Sequence, residues 1–494
     1  MAGQNQKYQL HIFFFPFLGQ GHMIPTVDMA KIFASRGIRA TIIATPFNLP
    51  LTSRSIQESV ALGLPINLVP IKFSCQELGL PEGCENADAI SSPSLFHIFF
   101  KATTMLQEPL EQLLQEHHPD CLVAGSLFPW ATDSAAKFGI PRIVFHGTGF
   151  FPLCVSESIS RHQPYKDVTS DSDPFVIPHL PGIEIQMTRM VLPTYVITDE
   201  VTFITRLFKA AKESAVKSFG VVVNSFYELE GIYADHYKKA LGRKAWHIGP
   251  LSLCNRDNKE KSYRGKQASM DAQYCLKWLD SKKPHSVLYI CFGSKSDFTE
   301  NQLREIAMGL EASGQNFIWV VRESKKDKEE EGDRDRDQDQ DQGWLPEGFE
   351  KRMEGKGLII RGWAPQVLIL DHESTGGFVT HCGWNSTLEG VSAGVPMVTW
   401  PVSAEQFYNE KLITEVLRIG VAVGVKKWVP LVGDYIEKEA IVKAVKEITE
   451  GDEAEEMRNR AKKLARMARE AMEEGGSSHS DLNSLIEELV GLSK

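Results

Sequence analysis

The chain has 494 residues, 42% of them hydrophobic and 24% charged, which places it among ordinary globular proteins of two or three domains. A formal net charge of −10 argues against broad nucleic-acid or anionic-membrane binding, though a local basic pocket stays compatible with it. Eight cysteines form no C-x-x-C and no zinc-spaced Cys/His cluster, so reduced thiols and no metal site are expected.

The N-terminus "MAGQNQKYQL" lacks the basic and apolar regions of a signal peptide, and no apolar run approaches the ~20 residues of a membrane span. A cytoplasmic monomer is expected. "LHIFFFPF" reads as a first strand, followed by a turn with Gly19, Gly21 and His22. "IPTVDMAKIFASRG" reads as a helix with Pro25 in its first turn and Gly37 at its end. Strand "IRATIIAT", helix "MLQEPLEQLLQEHHPD", strand "CLVAGS", helix "WATDSAAKFG" and strand "IPRIVFHG" continue the alternation, which implies a parallel, doubly wound sheet.

From Phe150 to about Phe203 the pattern reads as long and irregular, with the character of a lid or binding loop. "CNRDNKEKSYRGKQASMD", residues 254–271, reads as an interdomain linker. The second half restarts with "HSVLYICFGS" and repeats the strand and helix alternation. Within it "KKDKEEEGDRDRDQDQDQG" (325–343) reads as a disordered surface loop. The expected divisions are 1–253, the linker 254–271, 272–475, and a terminal helix over 476–494.

The strand-to-turn-to-helix pattern around Gly19 and Gly21 keeps only G-x-G of a dinucleotide fingerprint, because Ile24 holds the third glycine position. His22 is therefore either a reactive group or a loop filler. The stretch Trp363–Gln406 is richer. "GGFVTHCGWNS" reads as a strand, a turn at Gly383, and a helix beginning near Asn385, whose amino terminus suits phosphate. His381, Asn385 and Ser386 add donors there, Glu389 could accept from ribose hydroxyls, and Trp363 offers a face for a base. Glu405 and Gln406 follow the strand "VPMVTWP" and offer polar groups to a sugar. Taken singly, Asn385 could be a helix cap, His381 a satisfied core histidine and Trp363 a packing residue.

This stretch, W-A-P-Q at its start, H-C-G-W-N-S in its middle and E-Q at its end, closely resembles the signature box of plant UDP-dependent glycosyltransferases. The resemblance spans the chain, including the His22 loop and "CFGS". It implies the GT-B fold: two Rossmann-like doubly wound parallel-sheet α/β domains facing across a cleft, the first for the acceptor and the second for the UDP-sugar. The terminal helix would cross back to the first domain. By resemblance Trp363 stacks on uracil, the Ala364 backbone bonds its edge, and Gln366 and Glu389 hold the ribose. His381, Gly383, Asn385, Ser386 and Ser294 surround the diphosphate. Thr148, Trp384, Glu405 and Gln406 meet the sugar, and the final Gln leans toward UDP-glucose, with UDP-glucuronate and UDP-xylose open. The sugar nucleotide is a co-substrate, and no cofactor is implied.

In the same family His22 is the general base that takes a proton from the acceptor hydroxyl. An unperturbed imidazole titrates near ~6.5 and suits that role. The G-x-G glycines would turn the backbone tightly and expose the ring. One departure stands out: the family's usual Asp after the fourth strand aligns with Gly125, with Asp120 and Asp133 poor replacements. Three readings stay open. His22 works unaided or with a substitute such as Ser126; the acceptor is acidic enough to need little help; or turnover is impaired. Phe-, Leu-, Met- and Pro-rich segments at "FFPFLGQ", at 91–100 and after Thr148 imply a large apolar pocket for a flat or polycyclic acceptor. "FFPFLGQGHMIP" and "FPWATDSAAK" resemble a plant subgroup acting on flavonoids, isoflavonoids and triterpenoid saponins, which implies a triterpenoid or its glycoside first and a flavonoid close behind. The rival readings are a UDP-sugar-binding protein without turnover and an epimerase-like nucleotide-sugar enzyme; a nicotinamide oxidoreductase is excluded by the incomplete fingerprints.

Overall fold

The computed structural model describes residues 9–90, 93–322 and 343–492. The expected disordered loop (325–343) falls outside them except for Gly343, as do residues 91–92 of an expected acceptor segment. Two compact units emerge, one made of 1–150, 198–265 and 470–494, the other of 151–197 and 266–469.

The first unit is built on seven strands: β1 (His11–Phe15), β2 (Arg39–Ala44), β3 (Ile66–Pro70), β4 (Cys121–Gly125), β5 (Arg142–Phe145), β8 (Gly220–Val223) and β9 (Ala245–His247). The hairpin strands β6 (Pro174–Val176) and β7 (Gln186–Thr188) fall in the second unit. All seven are parallel, in the order β3-β2-β1-β4-β5-β8-β9. β1 is buried throughout, as a strand covered on both faces must be. Its alternate residues feed different cores: Ile12 and Phe14 pack with the first helix, Phe13 and Phe15 with Leu106, Leu110 and Phe128.

The second unit's sheet has the order β12-β11-β10-β13-β14-β15. Its strands are β10 (Val287–Cys291), β11 (Asn316–Val321), β12 (Gly357–Arg361), β13 (Thr375–Thr380), β14 (Met397–Thr399) and β15 (Gly420–Ala422). In each sheet the winding reverses between two adjacent strands, β1 and β4 in the first, β10 and β13 in the second. Loops at the carboxyl ends of such strands diverge and leave a crevice for ligand.

Several elements differ from the sequence expectation. The first helix, α1 (Gln20–Ser35), begins four residues earlier than read, so Pro25 lies inside it and His22 sits in its first turn. Proline there, in the second turn, forfeits the hydrogen bond to the Gly21 carbonyl, and the helix runs on past it. Gly19 is the N-cap with extended backbone (φ −161), and Gly21 is helical with nothing near its missing side chain. Neither supplies the tight turn expected of it.

The region read as irregular contains a 13-residue helix, Phe150–His162, with Pro152 in its first turn. Residues 151–197, placed with 1–253 on sequence, group with the second unit. Within that unit the Trp428 amide donates to the Met190 carbonyl at 2.9 Å, and Tyr195 meets Trp428 edge-on.

The expected linker is ordered through Arg264. Buried Asp28 of α1 accepts from Asn255 Nδ2 (2.9 Å) and Arg264 Nε (2.7 Å), and Asp257 caps a short helix, Asn258–Tyr263. A desolvated carboxylate demands such partners, and they draw the polar segment onto the helix. The terminal helix Ser477–Leu492 places Leu482, Leu485 and Leu489 in the first unit's core, and Asp481 accepts from the His247 amide at 2.9 Å.

Candidate functional site

His22 leaves α1 one turn from its amino end, half-buried. Its amide donates to the Gly19 carbonyl (2.9 Å) and its carbonyl accepts from Thr26 Oγ1 (2.7 Å), so the backbone beneath the ring is fixed. Phe17 meets the imidazole edge-on, centroids 5.4 Å apart, and stacks in turn on Phe100. Gly147, just beyond β5, lies against the imidazole rim. His146 beside it is pushed down to about 3, first by burial and then by nearby Arg243, Arg142 and His22, so it stays neutral at pH 7.

The aligned Asp position is closed. A β-carbon at Gly125 would stand 2.9 Å from the Phe17 amide nitrogen and 3.0 Å from Phe17 Cβ. The Gly125 carbonyl accepts from Arg142 Nη2 at 2.7 Å. Asp120 sits at the far end of β4, accepting from the His11 amide, and Asp133 is exposed in the first turn of helix Trp130–Ala136. The Ser126 amide donates to the Phe145 carbonyl. Thr148 follows Gly147, and its Oγ1 is buried without a hydrogen-bond partner among the described residues.

In the second unit the predicted residues converge on the β10/β13 reversal. Gly383 is the N-cap of helix Trp384–Ala393 and offers no side-chain cap, so Trp384 and Asn385 are the first two helical residues. The cap reading of Asn385 therefore fails, and no side chain of the N-cap residue pairs with the helix's first N–H groups, the kind of amino end that suits an anion. His381 opens the turn after β13. β-carbons at Gly293 and Gly383 would stand 2.6 and 2.5 Å from its Nε2, so two glycines clasp one edge of the ring. Burial lowers this histidine to about 4 and keeps it neutral. Its Nδ1 is buried with no hydrogen-bond partner among the described residues, which overturns the satisfied-core reading.

Below this turn the ribose candidates already touch. Gln366 Nε2 donates to Glu389 Oε2 (2.7 Å) and Ser386 Oγ (3.0 Å). Tyr289 of β10 donates to Gln366 Oε1 at 3.3 Å, which fixes the amide's orientation. Trp363 is half-buried; its amide and carbonyl pair with Ser269 at 2.8 Å each, and Lys266 lies 5.9 Å from its ring centroid. Ala364 is buried next to it, and Ser294 follows Gly293 in the loop after β10, half-buried.

Gln406 opens helix Gln406–Lys411, and its Oε1 accepts from the Val402 and Ser403 amides at 2.8 Å each. Its Nε2 end is thereby the one presented. Glu405 holds the N-cap position of the same helix without a side-chain cap, and burial raises its carboxyl. Asn409 Nδ2 donates to the Cys382 carbonyl at 2.9 Å, tying this helix to the His381 turn.

Sequence reasoning missed Tyr289, Asn409, Ser269, Gly147 and Gly293. Tyr289 reads as one more strand residue, and nothing in "FHGTGFF" says which ring the glycine would meet. Among the described residues no three His, Cys, Asp or Glu side chains cluster as metal ligands, and no helix is long and apolar enough to cross a membrane.

Residues 114–457 match the family described as UDP-glucoronosyl and UDP-glucosyl transferase. The chain is 58% identical to scopoletin glucosyltransferase of Nicotiana tabacum, over 97% of this chain and 98% of that protein. It is 56% identical to UDP-glucose flavonoid 3-O-glucosyltransferase 7 of Fragaria ananassa, over 98% and 97%. Among solved structures it is similar to Glycyrrhiza uralensis UGT73P12 complexed with glycyrrhetinic acid 3-O-monoglucuronide, with a TM-score of 0.88, 41% identity, and 98% and 96% of the two chains covered. It is also similar to TcCGT1 in complex with UDP, with a TM-score of 0.78, 25% identity, and 98% and 100% covered. The fold is GT-B, and a binding protein without turnover finds no support in these likenesses. With the predicted box gathered at one sheet reversal and these relatives matched end to end, the chain belongs to the plant UDP-dependent glycosyltransferases and is a UDP-glycosyltransferase.

Proposed function

We propose that the chain transfers glucose from UDP-glucose, with inversion, to a hydroxyl of a flat apolar plant metabolite. A phenolic coumarin or flavonoid is the first choice and a triterpenoid the second. The observation that carries the donor half is the Gln406 amide. Two backbone donors hold its oxygen, so only its NH₂ end can meet a sugar hydroxyl. The names of the Nicotiana and Fragaria relatives support glucose and phenolic acceptors. The Glycyrrhiza structure, complexed with glycyrrhetinic acid 3-O-monoglucuronide, supports the triterpenoid alternative.

In this reading His22 is the catalytic base. Its imidazole takes the acceptor's hydroxyl proton as that oxygen forms a bond to the anomeric carbon, and the bond from that carbon to the UDP oxygen breaks on the opposite face. The proton ends on His22 and the negative charge on the UDP diphosphate. His381, Ser294, Asn385, Ser386 and the amino end of helix Trp384–Ala393 meet that charge. Because burial holds His381 neutral, it serves as a fixed donor rather than a cation. Gln366 and Glu389 take the ribose, Trp363 and Ala364 the uracil, and Trp384 and Glu405 join Gln406 around the sugar. The reading needs no metal or other cofactor and places the protein in the cytoplasm as a monomer.

The test is a product assay by mass spectrometry. UDP-glucose, UDP-glucuronate, UDP-xylose and UDP-galactose are each offered against coumarins, flavonoids and triterpenoids. Hexoside masses from UDP-glucose with phenolic acceptors are expected. Products formed only from UDP-glucuronate or UDP-xylose would overturn the donor assignment, and products on triterpenoids alone would overturn the acceptor order.

A further inference from the structure

A general base must be held to within a fraction of an ångström of the proton it takes, and the aligned carboxylate that would orient His22 is a glycine here. Two glycines of neighbouring strands instead define where the imidazole rests. At the end of β4, Gly125 has no side chain, and the Phe17 backbone occupies the space where a β-carbon would stand. Phe17 then presents its ring to His22. Just past β5, Gly147 has φ +72, in the left-handed region, and a β-carbon there would stand 2.8 Å from both Nδ1 and Cε1 of His22. That is closer than side-chain carbons come to a ring, so any other residue at 147 must push the imidazole away. The next residue, Thr148, aims a buried Oγ1 with no protein hydrogen-bond partner among the described residues, which marks this loop as facing a ligand.

We infer that Gly147 is a positioning residue for His22: its side-chain-free, left-handed backbone is the surface that sets the imidazole for proton transfer. The inference rests on His22 being the base. Gly147→Ala and Gly147→Asn both add the obstructing β-carbon, and Asn tolerates positive φ with less strain, so it separates displacement of the ring from misfolding. Gly139→Asn is the control, since Gly139 has φ +69 and nothing within 4 Å of its missing side chain.

Each variant is assayed with UDP-glucose and two acceptors, a weakly acidic hydroxyl and a phenol already ionised at the assay pH. His22→Ala runs alongside, and UDP binding is measured calorimetrically. The expected result is a loss in kcat of ~10²-fold or more on the weakly acidic acceptor for both Gly147 variants, in line with the worth of a positioned base. The ionised phenol should lose under about tenfold, with UDP affinity and the Gly139→Asn rates unchanged. Equal losses on both acceptors, or a Gly147→Asn rate near that of the unmodified protein, would overturn the inference. If His22→Ala itself spares the weakly acidic acceptor, the base assignment fails instead, and the two failures are distinguishable.

Discussion

The two units place a histidine at the same topological position and pack it differently. At the β10/β13 reversal, two glycines clasp His381, burial holds it near 4, and the amino end of a helix lies beside it. At the β1/β4 reversal, His22 stands half-buried on the first turn of a helix, touched by Phe17 and by one glycine. A ligand for a diphosphate need only donate, so a histidine that stays neutral across physiological pH serves well. A base must gain a proton during the reaction, so its surroundings have to leave room for that charge. Both parallel sheets thus present a histidine at the reversal, and in the proposed reading the packing around it separates a diphosphate donor from a base.

The sharpest way to break this contrast is His22→Ala. The expected loss in kcat is ~10²–10⁴-fold on a weakly acidic acceptor, measured by initial rates. A rate within about tenfold of the unmodified protein would remove His22 from the chemistry.

Next is Gly125→Asp, the substitution that restores the aligned carboxylate. Its β-carbon meets the Phe17 backbone at 2.9 Å, so the expected outcome is a stability loss of about 1–3 kcal/mol in urea unfolding, without a gain in kcat. A faster enzyme of undiminished stability would show that Phe17 yields and that a carboxylate still belongs there.

Tyr289→Phe removes the hydroxyl that orients Gln366 and leaves the ring in place. UDP affinity should fall by about 0.5–1.5 kcal/mol, a few-fold, with kcat at saturating donor unchanged. Unaltered titration curves would mean that Glu389 and Ser386 hold the amide without help.

The last effect is in pH. His381 in the folded chain lies below its unfolded value of about 6.5, so its contribution is present above pH 6.5 and lost as pH falls toward 4. Compared with His381→Gln, the unmodified protein should lose relative stability between about pH 7 and 4.5. Glu410, raised by burial to about 7, acts in the other direction and cancels in the difference. Parallel pH profiles for the two proteins would contradict the burial argument.

Much of this was legible from residues whose types serve a nucleotide. Trp363, Gln366, His381, Asn385, Ser386, Glu389 and Gln406 lie within 44 residues, and the structure places them around one strand reversal. The errors came from reading proline as a boundary. Pro152 lies in the first turn of its helix, where the N–H has no partner to lose, and Pro25 lies in the second turn of α1, where the helix continues in spite of one missing bond; a helix start was therefore put too late and a whole helix was missed. The two units part at 265/266, inside the polar segment 254–271 read as a linker, but composition cannot show that buried Asp28 claims Asn255 and Arg264 at its start. Gly125 was visible as a missing carboxylate, but only the folded chain reveals that Phe17 fills its space. Tyr289 was hidden because strand alternation says which face a side chain takes, not what its hydroxyl meets.

The most direct test is to titrate UDP into His22→Ala and His381→Ala and to measure single-turnover transfer from UDP-glucose in both. The division of labour predicts that His22→Ala binds UDP as the unmodified protein does and fails to turn over. It predicts that His381→Ala loses UDP affinity by ~10–10²-fold, the worth of a hydrogen bond to a charged group. Weakened UDP binding in His22→Ala, or unweakened binding in His381→Ala, would contradict it.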